Sequence, residues 1–166
     1  MNEEGSADLE SAAATLRDAE TVNDLLRETA RTLVDVLGAD ACTISRAIGD
    51  LLIDLVDHVR GPHSGRIQLG HGYLISDYRL TREVLERRES RTVSLDDPQA
   101  DRSEAQLLRD LGFDALLMLP LEQDATTWGL TEVYTVGRGP FGEDAVERGS
   151  RIVAEAGRVL SHLLGG

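Results

Sequence analysis

From Ala115 to Pro120 the chain reads ALLMLP, with no polar residue at either parity. A strand with one wet face alternates apolar and polar side chains with period two. A run that is apolar at both parities therefore belongs to a strand covered on both sides. Residues 128–137 (WGLTEVYTVG) form a second such run, interrupted by Glu132. Reading 114–121 and 128–137 as neighbouring strands, the rest of the chain must supply two covering layers.

Helical spacing supplies one of them from the two ends. Residues 6–37 carry Leu9, Ala12, Ala13 and Leu16, then Val22, Leu25, Leu26, Ala30, Leu33, Val34 and Leu37, with a break expected near Glu20–Thr21 and Gly38 as the terminator. A closing helix over 141–164 repeats the pattern, and its Gly149 and Gly157 would let another helix approach closely. The alanine-rich first segment suits a helix that meets a partner helix. Residues 39–59 read as a hairpin turning at Gly49-Asp50. In the middle, a short strand is expected at 66–69 and another in RTVSL (91–95). Helices are expected over 77–90, capped by Asp77, and after a Ser103/Gln106 capping box, ending at Gly112. Hairpin connections favour an antiparallel sheet, so the expected fold is α+β, a three-layer α/β/α sandwich with the terminal helices on one face and the middle segment on the other.

At 166 residues the chain suits one domain. Its formal charge is −13 and all 17 basic residues are arginine. Such a surface repels phosphate backbones and anionic lipid, so neither nucleic acid nor a membrane is an expected partner. The missing lysine excludes Schiff-base chemistry and the lysine of a phosphate-binding loop. One cysteine, Cys42, rules out an internal disulfide. The acidic start MNEEGSADLE lacks the charge and apolar block of a secretory signal, so a cytoplasmic protein is expected.

LGFDALLMLPL, WGLTEVY and GPFGEDAVERGSRIVAEAGRVL, in that order, resemble the GAF domain, a small sensory module of bacterial and eukaryotic signalling proteins. SLDDPQADRSEAQLLRDLGF is similar to a subgroup met in bacterial sensor kinases and cyclase regulators. The resemblance covers about residues 21–164, leaving 1–20 as an N-terminal helical extension with a dimerising role. It implies a non-catalytic regulatory domain that binds a small molecule, forms a homodimer through its terminal helices and acts on a signalling output protein. Three chemistries of the family do not match. The lysine-containing motif of cyclic-nucleotide binders cannot be complete, one cysteine cannot make the disulfide of methionine sulfoxide reductases, and Cys42 has no neighbouring histidine as bilin-attaching members do.

In that scaffold the ligand lies between sheet and middle layer, which points to His71, Tyr73, Tyr78, Arg79, Met118 and Glu132. Tyrosine offers an apolar body with a polar tip, and arginine a planar fork of donors. Haem-binding relatives use a loop histidine as axial ligand, and His71 is the matching residue, although the four histidines show no metal-ligand spacing. Glu132, in a strand suited to burial, needs a partner such as Arg46 or a tyrosine hydroxyl. The competing readings are a small-metabolite enzyme using Glu132 or His71 as acid–base group, disfavoured by the missing catalytic constellation, and a ligand-free dimerisation module with a packed interior. Ligand and cofactor are not specified by the residues.

Overall fold

The computed structural model describes residues 3–61 and 72–165. His71 and the strand expected at 66–69 lie outside them. Helices α1 (Glu3–Arg17) and α2 (Val22–Leu37) are separated at the expected break. Thr21 is extended there and its hydroxyl accepts the Asp24 N–H at 3.1 Å, a cap that stabilises such a helix by ~1 kcal/mol. Gly38 closes α2 in the left-handed region.

Six strands follow in one antiparallel sheet, in the spatial order β3-β2-β1-β6-β5-β4. They are β1 (Ala41–Ile48), β2 (Leu51–Val59), β3 (Gly72–Leu74), β4 (Arg91–Ser94), β5 (Ala115–Gln123) and β6 (Thr126–Thr135). The β1–β2 turn falls at Gly49-Asp50 as expected, whereas β3 was read as loop. Residues 122–127, expected to connect β5 and β6, are mostly strand. Both strands continue into a two-residue turn in which Asp124 and Ala125 take φ of 50° and 60°.

The middle layer holds α3 (Arg79–Arg87) and α4 (Arg102–Leu111). Two caps differ from expectation. Asp77 does not cap α3, because it sits inside a 3₁₀ turn over Ile75–Asp77 that the Tyr78 N–H closes on the Ile75 carbonyl. In α4 the cap is Asp101, whose carboxylate accepts the Glu104 N–H at 3.2 Å. Ser103 already lies in the first turn, and Gln106 reaches Asp110 instead.

The two faces of the sheet carry separate cores. Cys42, Ile44, Leu117, Leu119, Leu121 and Val133 pack under α1, α2 and the closing helix α5 (Glu143–Leu163). Ala41, Leu52, Met118, Leu130 and Tyr134 pack under Val84 and Leu85 of α3 and Leu108 of α4. Leu117 and Met118 therefore point to opposite faces, and both are 0% exposed. The unbroken apolar run is the signature of this two-sided cover. β1 and β6 approach so closely at Gly129 that a Cβ there would stand 2.1 Å from the Ser45 carbonyl oxygen.

The glycines of α5 serve the sheet first, and Gly149 also lets Leu37 of α2 come close, its Cδ1 3.5 Å from where a Cβ would stand. A Cβ at Gly157 would lie 2.5 Å from the Glu122 carbonyl oxygen, and one at Gly149 would lie 3.0 Å from Leu119 Cδ1. One face of α1 packs within the chain. Leu9 and Leu16 join the core beneath α2 and α5, and Arg17 Nε donates to Glu155 at 2.7 Å.

Candidate functional site

Strand register brings an acidic side chain to the centre of the face that the middle layer covers. Glu132 of β6 is flanked by Thr43 of β1 and Met118 of β5, and it shares its parity with Leu130 and Tyr134. On β2, Asp54 accepts the Ser45 hydroxyl at 2.5 Å. From above, Glu104 of α4 is buried completely. Its Oε1 accepts the Thr81 hydroxyl of α3 at 2.5 Å, and its Oε2 is buried with no hydrogen-bond partner. At one side, Tyr73 of β3 and Tyr78 meet edge to face, with ring centres 6.1 Å apart.

These groups lie in one another's field. Burial pushes the Glu132 carboxyl up to about 8, with the charges of Glu104 and Asp54 adding to the rise and a Tyr134 hydrogen bond opposing it. Glu104 is also raised, chiefly by burial, against the pull of hydrogen bonds from both the side chain and the backbone of Thr81. Burial, Asp54 and Glu132 lift the Tyr73 phenol to about 12. A like-charged group beside a buried carboxyl disfavours ionisation, so at neutral pH Glu132 holds its proton.

Of the expected ligand-facing residues, the structure gathers Tyr73, Tyr78, Met118 and Glu132 around this site. It does not bring in Arg79, whose side chain is 61% exposed and ion-paired with Glu83 and Asp101. The guanidinium starts from the first residue of α3, where Glu83 of the same helix and Asp101, the cap of α4, hold it. Arg46 is not the partner of Glu132 either. It lies 4.6 Å over the Trp128 ring and donates to the Trp128 and Ala47 carbonyls, leaving a tyrosine, Tyr134, as the bonded group. Cys42 is fully buried on the terminal-helix face, and burial pushes its thiol far up.

Asp54 and Glu104 were missed. Glu104 falls on the stripe of Leu108 and Leu111 at i, i+4 and i+7, so the helical period alone places it inward. Asp54 has the parity of Leu52 in β2, which the middle-layer core contains. Both signals were legible. Among the described residues, no three His, Cys, Asp or Glu side chains converge to hold a metal ion, and no helix is long and apolar enough to cross a membrane.

The profile of the GAF domain matches residues 21–160. Among solved structures, a bacteriophytochrome from R. palustris superposes with a TM-score of 0.84 at 12% identity, over 98% of this chain and 39% of that one. The phycoerythrobilin-bound GAF domain of a cyanobacterial phytochrome gives 0.83 at 15% identity, covering 96% and 97% of the two chains. The GAF domain of an Acinetobacter phosphoenolpyruvate-protein phosphotransferase gives 0.74 at 16% identity, covering 98% and 95%. At these identities the likeness is one of fold. No curated protein matches the chain significantly. The family profile spans most of the sequence and agrees with the strand order, the two-sided cover and the neighbours' folds, so this chain belongs to the GAF domain family.

Proposed function

We propose that this GAF domain is a non-catalytic sensory module that binds a small molecule between the sheet and the middle layer. The observation that carries the reading is Glu104 Oε2, a buried carboxylate oxygen without a partner, beside a second buried carboxyl at Glu132. A buried polar atom left unpaired costs ~1–3 kcal/mol, more when charged, and a domain that only packs or dimerises has no use for that cost. A ligand donor at this point removes it. Tyr73, Tyr78 and Met118 then supply the apolar wall.

The phytochrome neighbour's pigment is a poor template for this ligand. Covalent attachment needs a thiol, and the single cysteine is buried under the terminal helices, across the sheet from Glu132. Binding is read out by a population shift between arrangements of the middle layer and the helices α1, α2 and α5, the route to an output protein. Homodimerisation belongs to the same reading. The exposed strip Ala7, Ser11 and Ala14 on α1 leaves room for a second copy, and only monomer in light scattering at tens of micromolar would remove it.

Native mass spectrometry of the chain purified from cells tests the receptor role. A non-covalent small molecule retained in stoichiometric amount, and lost on mutation of Glu104, is the expected result. A ligand-free chain whose unfolding responds to no metabolite would contradict it.

A further inference from the structure

We infer that the chain holds a second binding site, for a small organic anion, in a cleft at the β4–β5 end of the sheet. The ligand class is a carboxylate or phosphate group carried on an apolar body. This site shares no residue with the Glu104–Glu132 site and stands apart from the receptor reading above.

The cleft exists because one strand starts late. β4 pairs only with Ala115–Met118, so β5 runs on from Leu119 to Gln123 with β6 on one side and no described strand on the other. Before β4, the chain leaves α3 through Arg88, whose φ of 56° ends the helix. α5 borders the same stretch of β5, where Gly157 lets the helix down onto the Glu122 carbonyl. Together these segments enclose an open cleft of about 940 Å³. Small-molecule sites occupy roughly 300–1,000 Å³. Leu119, Pro120, Val153 and Ala154 supply its apolar wall. Pro120 has no N–H to offer an added strand, so a ligand held by side chains fits the cleft better than a peptide held by backbone.

Its polar lining has donors to spare. Arg88, Arg91 and Arg158 face Glu89, Glu122 and Asp124, so three positive charges meet three negative ones in a chain whose formal total is −13. The carboxylates are already engaged. Glu89 is ion-paired with Arg91, Glu122 with Arg88, and Asp124 accepts from Gln123. The donors are not used up, because a guanidinium carries five N–H groups. Arg88 commits Nη1 to Glu122 and the Ala125 carbonyl, which leaves Nε and Nη2. Arg158 gives Nε and Nη2 to Glu155 and keeps Nη1. The His162 ring and the Ser150 hydroxyl also line the cleft, and neither has a partner among the described residues. A ligand that brings acceptors answers this surplus, and charge-assisted bonds to an anion are the strong kind. A cation would meet three arginines instead.

The acidic surface does not forbid such a ligand. Salt screens exposed charges beyond about 8 Å, so a small anion in the cleft answers mainly to the groups around it, whereas an extended polyanion meets the whole surface. The donors come from two elements. Arg88 and Arg91 belong to the chain leaving α3, and Ser150, Arg158 and His162 belong to α5, so a bound anion is gripped from both.

Amide NMR and calorimetric titration of the full chain provide the test, with phenyl phosphate and phenylpropionate as anions, phenethylamine as the cation and phenethyl alcohol as the neutral probe. The expected result is saturable binding of at least one anion and of neither other probe, with shifts centred on residues 88–91 and 150–162. Replacing both Arg91→Gln and Arg158→Gln should weaken that binding by roughly tenfold or more. Arg27→Gln, an exposed arginine of α2, should leave it unchanged, and so should Glu104→Gln. If the double variant does not fold, His162→Gln at its exposed position takes its place and should weaken binding several-fold. Binding of neither anion, equal binding of the neutral probe, shifts centred elsewhere, or affinity untouched by these substitutions would overturn the inference. Loss of anion binding with Glu104→Gln would overturn it too, by placing the anion under the middle layer.

Discussion

Glu132 is the residue on which the electrostatics turn. Its folded value of about 8 stands above the ordinary 4.5 of an exposed carboxyl. Between those two values the folded chain holds a proton that the unfolded chain has released, so stability is full below pH 4.5 and is lost as pH rises toward 8. Glu104 moves in the same direction, and among the described residues Asp54, Cys42, Tyr73, Tyr78 and Tyr134 are titratable groups that lie in the field of one or the other. Glu132→Gln removes the proton equilibrium while keeping the shape. Urea unfolding should show the variant stabilised relative to the parent at pH 9, by on the order of a few kcal/mol, and close to it at pH 5. Equal differences at both values would show that Glu132 titrates normally.

Among the elements, α1 and α5 carry the clearest tests. Leu16 of α1 is fully buried with the core beneath α2 and α5, whereas the neighbouring Arg17–Glu155 pair has a half-exposed guanidinium. Burial outweighs the ion pair on ordinary magnitudes. Leu16→Ala should cost ~2–4 kcal/mol in urea unfolding and Arg17→Ala far less. If Leu16→Ala is as mild as Arg17→Ala, α1 is an appendage rather than part of the core. Gly157→Ala sets two effects against each other. Alanine gains ~1 kcal/mol of helix propensity over glycine, but its Cβ meets the Glu122 backbone oxygen at 2.5 Å. A backbone atom cannot swing aside as a side chain can, so the variant should be less stable, by ~1–3 kcal/mol. A stabilised variant would mean the helix is free to lift.

The same elements show what the residues announced beforehand. Runs of one period were legible, as in α2, the β1–β2 hairpin, β5 and the terminal layer, because burial imposes its spacing along many residues. Short features settled by a single contact were not. Ala125 at positive φ carries no turn signal, so the β5–β6 hairpin read as a longer loop. β3 is three residues long and exists by pairing with Leu51–Ile53. Glu104 was passed over although it sits on its helix's apolar stripe, because a charged residue in a first turn is usually solvated. Its inward position was legible from that stripe, but its bond to Thr81 of another helix was not.

For the whole molecule, one sheet separates two different interiors. The face under α1, α2 and α5 is mainly apolar and joins the first and last helices into one layer, while the face under α3 and α4 holds carboxylates in a dry setting. An apolar core would have been cheaper there. The proposed receptor role rests on that unpaired carboxylate oxygen, and under that proposal a change on this side has to cross the sheet to reach the terminal helices. The most direct measurement is a carbon-detected NMR titration of the Glu132 side-chain carboxyl, in the parent chain and in Glu104→Gln. The account predicts a midpoint near 8 that falls when the Glu104 charge is removed. A midpoint at the ordinary 4.5, unmoved by that substitution, would contradict it.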